Sequence, residues 1–319
     1  MIDSRIKFRH LQTFLEVARQ KSVMKAAAIL NISQPAVTKT IREMEEALGV
    51  AVFERDGRGI RITRYGEVFL RYAGAAITAL RQGIDSVTNE QSGEGIPIRI
   101  GALPTVSTRI MPQAISLFLQ EKTQSRLKIV TGENAVLLEQ LRLGDLDLVV
   151  GRLAAPDKMT GFSFEHLYSE QVVFAVNARH PLLQAKGDLY TLLHEYPVLM
   201  PTRASIIRPF VDRFLIANGV AKLPRQIETV SDAFGRAFVR SKNAVWIISA
   251  GVVANDIEDG TLALLPIDTT ETKGPVGLTT RADVTPSLPL MILMQTIREA
   301  ARTVKAGITP VARQKGSPT

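Results

Sequence analysis

Between Tyr65 and about Gln91 no proline interrupts the chain, and Val68, Phe69, Tyr72, Ala73, Ala76, Ile77, Leu80, Ile84 and Val87 recur at helical spacing. The spacing predicts one helix of about 27 residues, roughly 40 Å long at about 1.5 Å per residue. A small domain cannot cover an apolar stripe of that length. The helix is therefore expected to join separately folded units and to pair with a second copy of the chain. At 319 residues there is room for two or three units with cores of their own. This divides the chain into a first unit (1–64), a linker and dimerisation helix (65–92), and a larger unit beginning after a polar stretch with Gly93, Gly95 and Pro97.

Within the first unit, Leu11, Phe14, Leu15 and Ala18 mark one amphipathic helix, and Ser22 can cap a second through Met24, Ala26, Ala27 and Leu30. After a turn at Asn31 and Ile32, Ser33 stands as N-cap of a third helix with Pro35 in its first turn, where a missing N–H costs nothing. Val37, Ile41, Met44 and Leu48 give this helix one buried stripe, while Gln34, Thr38, Lys39 and Arg42 occupy another face. Such side chains suit a DNA major groove: Gln and Lys reach base edges, Thr touches a thymine methyl or bonds a base, and Arg grips guanine or phosphate. Two short runs, Ala51 to Glu54 and Ile60 to Thr63, flank a glycine-rich turn, so a hairpin carrying Arg55, Arg58, Arg61 and Arg64 is expected as a phosphate-contacting wing.

The charge distribution agrees. The net +8 divides into +4 on residues 1–90 (14 Lys and Arg, 10 Asp and Glu), zero on 91–297 (20 and 20) and +4 on 298–319 (5 and 1). Basic charge concentrated on a helix-turn-helix unit is the footprint of a DNA-binding surface. Pairing through the long helix would bring two such units to one double-stranded, pseudo-palindromic site.

The string Ala26-Ala27-x-x-Leu30-x-x-Ser33-Gln34-Pro35-Ala36-Val37-Thr38-x-x-Ile41-x-x-Met44-Glu45-x-x-Leu48-Gly49-x-x-Val52-Phe53-x-Arg55, followed by Thr63-x-x-Gly66, resembles the DNA-binding signature of LysR-type transcriptional regulators. Met44 and Val52 stand where leucine is commoner. The resemblance implies a winged helix-turn-helix, a linker-helix dimer assembled into a dimer of dimers, and a C-terminal periplasmic-binding-protein-like effector domain of two α/β subdomains. RNA polymerase becomes a candidate partner.

From Pro97 onward, short β-rich runs (Ile98 to Leu103, Leu127 to Val130, Leu146 to Gly151) alternate with helices starting near Thr108 and Asn134. A second series follows at Val172 to Val176, Val198 to Met200, Ile227 to Val230 and Ala244 to Ile248. The alternation predicts mainly parallel sheets covered on both faces. The resemblance implies that the chain crosses out near residue 168 and back near 270, giving subdomain I (97–168 and 270–305), subdomain II (169–269) and a basic tail (306–319). In open α/β sheets, small ligands sit beyond the C-terminal strand ends. Thr105, Ser107, Asn134, Arg152, Thr202, Arg203 and Ser231 fall there and suit a small carboxylate. In related regulators of aromatic catabolism, the positions of Thr105 and Asn134 hold the carboxylates of a muconate. RIKFRHLQTFLEVARQKSV near the N-terminus, SQPAVTKTIREMEEALGV, RYGEVFLRYAGA and IGALPTVSTRIMP are similar to regulators of protocatechuate degradation. That similarity implies activation of such an operon by a carboxymuconate-like effector. A regulator of another pathway with a different small effector is the alternative.

An enzyme is the rival class. The phosphate-cradling, dinucleotide, nucleophile-elbow and paired-histidine metal motifs are absent, and there is no cysteine. His10, His166, His180 and His194 are scattered, and Asp145 and Asp147, two apart at a strand start, point to opposite faces. No cofactor or metal is expected. A solute-binding protein would need export, and the N-terminus shows no apolar signal segment, nor does any uncharged stretch have the length of a bilayer span, so a cytoplasmic protein is expected.

Overall fold

A computed structural model describes residues 5–57, 59–92 and 95–304. The wing residue Arg58 and the basic tail at 306–319 lie outside the described residues.

The N-terminal unit contains α1 (Phe8–Gln20), α2 (Val23–Leu30), α3 (Gln34–Leu48), β1 (Phe53–Asp56) and β2 (Gly59–Ile62), followed by α4 (Arg64–Ser92). Local chemistry sets the boundaries. The Ser22 hydroxyl accepts the Lys25 amide at 3.3 Å, Asn31 turns the chain at φ 54°, and the Ser33 hydroxyl accepts the Ala36 amide at 3.4 Å. Phe14, Val17, Ala26, Val37, Met44 and Val52 form the core, with the Phe14 ring 5.2 Å from Phe53 and 5.1 Å from Phe69.

The strands of the wing pair two residues later than expected at the first strand. The Glu45 carboxylate accepts the amides of Val52 (2.8 Å) and Phe53 (3.3 Å), which ties that segment to the end of α3 and leaves Phe53 to pair with Ile62. Arg64 is the first residue of α4, not part of the hairpin. The Thr63 hydroxyl accepts the Gly66 amide at 3.1 Å and donates to the Ala51 carbonyl at 2.8 Å, so one side chain both caps α4 and fastens it to the wing.

The apolar stripe of α4 proves to be two adjoining faces. Leu70 and Ala73 are buried, with Phe69 and Ile77 packed beside them in the N-terminal core, whereas Tyr65, Val68, Tyr72, Leu80, Ile84 and Val87 remain exposed.

After α4 come β3 (Gly95–Ala102), α5 (Pro104–Arg109), α6 (Met111–Gln120), β4 (Ser125–Thr131), α7 (Asn134–Leu143), β5 (Leu148–Arg152) and β6 (Phe162–Glu170). The chain then enters a second sheet through β7 (Val172–Asn177), α8 (Leu189–Leu192), β8 (Val198–Met200), α9 (Arg208–Ala217), β9 (Gln226–Glu228), α10 (Asp232–Ser241), β10 (Val245–Ser249), α11 (Ala254–Glu258) and β11 (Leu262–Leu264). It returns with β12 (Gly274–Arg281) and α12 (Leu288–Val304). The sheet orders are β4-β3-β5-β12-β6 and β11-β7-β10-β8-β9.

Both sheets are mixed, which corrects the expectation of mainly parallel ones. In the first, β3 runs parallel to β4 and β5, but β12 is antiparallel to β5 and β6; in the second, β10 and β9 run parallel to β8, while β7 is antiparallel to β10 and β11. The antiparallel pairs arise where the chain passes between sheets, since a strand that leaves or returns need not follow a βαβ crossover. Ile98, Ile100, Leu148, Val150 and Leu278 form the first core with helices on both faces, and the second sheet has its own cores on its two faces.

A Cβ at Gly66 would stand 2.2 Å from the Val52 carbonyl oxygen and 2.6 Å from an Ile62 side-chain carbon. Gly66→Ala should therefore destabilise the N-terminal unit by about 1–3 kcal/mol through overpacking, measured by urea unfolding.

Candidate DNA interface and effector cleft

Six of the expected DNA-binding residues lie on or at the start of α3. Ser33 serves as its cap and Pro35 lies in its first turn. Gln34 Nε2 donates to Thr38 Oγ1 (3.3 Å), and Thr38 Oγ1 donates to the Gln34 carbonyl (3.1 Å), so the two form one exposed polar unit. Exposed Lys39 stands 3.9 Å from Glu43, whose carboxyl is held below its ordinary value chiefly by the Arg9 hydrogen bond. Arg42 is exposed on the same helix. In the wing, Arg55 is exposed, but Arg61 sits opposite Glu54 and forks onto its Oε1 at 2.7 and 3.0 Å. That pairing follows from hairpin register, which composition does not reveal.

The C-terminal ends of β3 and β5 and the crossing segments meet at a buried polar cluster. Thr105 donates to Glu170, whose other oxygen accepts the Gly251 amide at 2.6 Å. Glu170 ends the strand leading out of the first sheet, and Gly251 follows β10 in the second, so one carboxylate ties the two together. Thr108 Oγ1 adds a bond to the Gly251 carbonyl at 3.0 Å, and Thr202 Oγ1 donates to Glu133 Oε1 at 2.9 Å across the same divide. Asn134, at the start of α7, donates to the Arg152 carbonyl at 3.0 Å. Arg152 is 4% exposed; its Nη2 donates to the Thr272 carbonyl, and its guanidinium lies 4.7 Å from the Phe210 ring centroid. A Cβ at Gly274 would reach within 2.4 Å of Nη2, so that glycine makes room for the guanidinium.

Not all of the expected ligands converge. The Ser107 hydroxyl bonds back to the carbonyls of Ala102 (3.3 Å) and Leu103 (3.1 Å), Arg203 is exposed, and exposed Ser231 is spent capping α10 through the Phe234 amide at 3.2 Å. Glu170, Tyr168, Phe210 and Gly274 were missed by sequence reasoning. They come from strand ends and a helix far apart in the chain, and no short motif links them.

The electrostatics of the cluster follow from burial. Burial pushes the Glu170 carboxyl above its ordinary value despite its bonds from Thr105 and Gly251. It lowers Arg152, opposed by Glu170, and raises the Tyr168 phenol, which Glu170 raises further. Among the described residues, Arg152 Nη1 and Tyr168 Oη have no hydrogen-bond partner. A second buried cluster joins α4 to the first sheet: the Asp147 carboxylate accepts the Arg99 amide at 2.8 Å, lies 3.7 Å from Arg81, and is raised by burial. Asp145 instead pairs with Arg19 of α1 at 2.8 Å. Among the described residues, no group of His, Cys, Asp or Glu could hold a metal ion, and no helix is long and apolar enough to cross a membrane.

A helix-turn-helix unit joined by a long helix to a two-sheet ligand-cleft domain defines a class of bacterial transcription regulator. Residues 8–67 match the bacterial regulatory helix-turn-helix protein, lysR family, and residues 91–302 match the LysR substrate binding domain. The chain belongs to the LysR family and is a DNA-binding transcriptional regulator. It is 70% identical over 309 residues to the HTH-type transcriptional regulator PcaQ of Agrobacterium fabrum, covering 97% of this chain and 99% of that protein. It is 34% identical over 301 residues to the regulator YdcI of Escherichia coli, covering 94% and 97% of the two chains. The fold is shared with full-length LysG of Corynebacterium glutamicum, solved with bound effector Arg, at TM-score 0.61 and 20% identity over 93% of this chain and 99% of that one.

Because the folded chain holds the Glu170 proton to higher pH than the unfolded chain does, the associated stability is full below the ordinary value of 4.5 and is lost as pH rises through the raised value. Glu170→Gln cannot ionise. Urea midpoints of the variant relative to wild type should therefore shift in the variant's favour as pH rises from 4.5 toward neutrality. A constant difference across that range would contradict the assignment.

Proposed function

We propose that this cytoplasmic regulator reads a pseudo-palindromic operator through α3, with Gln34, Thr38, Lys39 and Arg42 facing bases and phosphates and Arg55 on phosphate, and responds to a small dicarboxylate of the carboxymuconate type. The observation that carries the effector reading is Arg152, a buried guanidinium whose Nη1 has no hydrogen-bond partner among the described residues. Burying a cation without a partner of its own is costly, and a carboxylate supplies the missing acceptor in a charge-assisted bond. Thr105 and Asn134 stand at the same cleft, but Thr105 is occupied by Glu170. An incoming carboxylate would displace Glu170 or meet its protonated form. Thr202 would act by bridging the two halves rather than as a ligand.

The similarity to PcaQ over nearly the full length of both chains supports control of an operon for protocatechuate catabolism. Exposed Tyr65, Val68, Tyr72, Leu80, Ile84 and Val87 on α4 support pairing of two copies, and from that a dimer of dimers. The effector acts by binding one relative placement of the two sheets better than another.

Titration calorimetry with carboxymuconate tests the cleft. Thr105→Ala combined with Arg152→Ala should weaken binding at least ~100-fold, since bonds to charged groups contribute about 1.5–3 kcal/mol each; unchanged affinity would remove the site. In footprinting, Thr38→Ala should relax sequence preference, while Arg55→Ala should weaken all DNA alike and reduce the salt slope by about 1. Equal protection of unrelated DNA by the wild type would overturn base reading by α3.

A further inference from the structure

Two neighbouring strands of the first sheet carry polar contacts at both ends. At the cleft end, β5 finishes in Arg152 and β12 begins at Gly274, against which the guanidinium lies, with Thr272 just before it accepting the Arg152 bond. At the opposite end, β5 is preceded by Asp147, which faces Arg81 of α4, and β12 finishes in Arg281. Arg281 is buried, and its Nη1 donates to Thr78 Oγ1 at 3.0 Å and to the Gly74 carbonyl at 3.4 Å, both on α4. The fit there is close: a Cβ at Gly74 would stand 2.3 Å from the Arg142 carbonyl oxygen, and one at Gly144 would stand 2.2 Å from Thr78 Oγ1. Between these ends the strands pair antiparallel from Val276↔Arg152 to Thr279↔Val149, and every residue of β5 is buried.

We propose that β5 and β12 form a stiff connector between the effector cleft and the linker helix, and that Arg281 seated on Thr78 is the positioning residue that transmits the state of the cleft to α4. Seven residue steps of β12 span about 23 Å at roughly 3.3 Å each. β12 has one register irregularity against β6, between Val276 and Gly277, but from Gly277 to Arg281 its β6 ladder is unbroken, and over Val276 to Thr279 it pairs with β5 as well. Beyond that point a shift cannot be absorbed by bending without losing ladder bonds and packing. A change in how Arg152 is held therefore moves the whole pair against α4. Arg281 is the most exacting contact on that path: burial lowers it, its Nε has no hydrogen-bond partner among the described residues, and its Nη1 bonds are made to α4 alone. This rests on the carboxylate-cleft reading for the identity of the natural input, but not for the mechanical link itself.

The test uses the full chain as Thr78→Val, which keeps side-chain shape and removes the acceptor. In the first arm, affinity for a labelled fragment of the DNA flanking its own gene is measured with and without carboxymuconate. Coupled proteins change affinity by about 5- to 150-fold. The wild type should respond within that range and Thr78→Val by less than ~2-fold, while the variant binds carboxymuconate and DNA separately as the wild type does. An undiminished response in Thr78→Val overturns the proposal. The second arm needs no effector: Phe210→Leu takes the ring from the Arg152 guanidinium, and hydrogen exchange is read over residues 70–82 of α4. Exchange there should change in Phe210→Leu and return to the level of Thr78→Val alone in the double variant. Unaltered exchange in Phe210→Leu, with Arg281→Met giving the same result in place of Thr78→Val, overturns the link. If the wild type does not bind carboxymuconate, the effector reading fails and the second arm decides the connector by itself.

Discussion

One helix closes the N-terminal core and is also the surface on which the large unit sits. Leu70 and Ala73 of α4 close the N-terminal core, to which Leu143 from the large unit also contributes. The next residue, Gly74, and Thr78 about one turn further on lie against Arg142, Gly144 and Arg281 of the large unit. The spacing of small and apolar residues along a single rigid rod thus decides both where the helix-turn-helix sits and how the effector unit meets it. Arg19 on Asp145 adds an ion pair across the same junction at the level of α1, half-exposed and worth little by itself. The close backbone approaches at Gly66 and Gly74 carry more of the geometry, because backbone cannot yield as a surface side chain can.

The cleft is organised around charge that water cannot reach. Glu170 and Arg152 are both buried, yet they act on each other at a distance and bond to different partners: Glu170 to Thr105 and Gly251, Arg152 to the Thr272 carbonyl and the Phe210 ring. Buried charges without a direct ion pair stabilise a fold poorly. Their presence where the two sheets meet is what the proposed carboxylate site calls for, a cation held out of water at the seam for an acidic ligand to pair with.

Much of the N-terminal unit was legible because its signals are local. Serine caps, the Asn31 turn, a proline in the first turn of α3 and 3.6-residue periodicity each act within a few residues, so they survive being read one window at a time. The wing was placed less accurately, since Glu45 reaches seven residues along the chain to tie down Val52, and Arg61 is claimed by Glu54 through register. In the large unit most strands lie within a few residues of their expected places, but β6 and β11 were not foreseen, nor were the strand directions. Alternation of strand and helix says nothing of a chain that leaves one sheet and comes back to it.

The sequence by itself determined the helix-turn-helix, the polar face of α3, the length of the linker helix and the distribution of charge, all of which follow from side chains interacting with near neighbours in the chain. Only the tertiary structure decided that the linker's apolar residues divide into a covered face and an open one. It also decided that Thr105 is held by Glu170, that Arg203 and Ser231 stay outside the cluster, and that Arg281 lies on Thr78, 203 residues away in sequence. The physical reason is that burial and hydrogen bonding in these places are satisfied between segments brought together only by folding, and a contact of that kind leaves no periodic mark on either of the segments that make it.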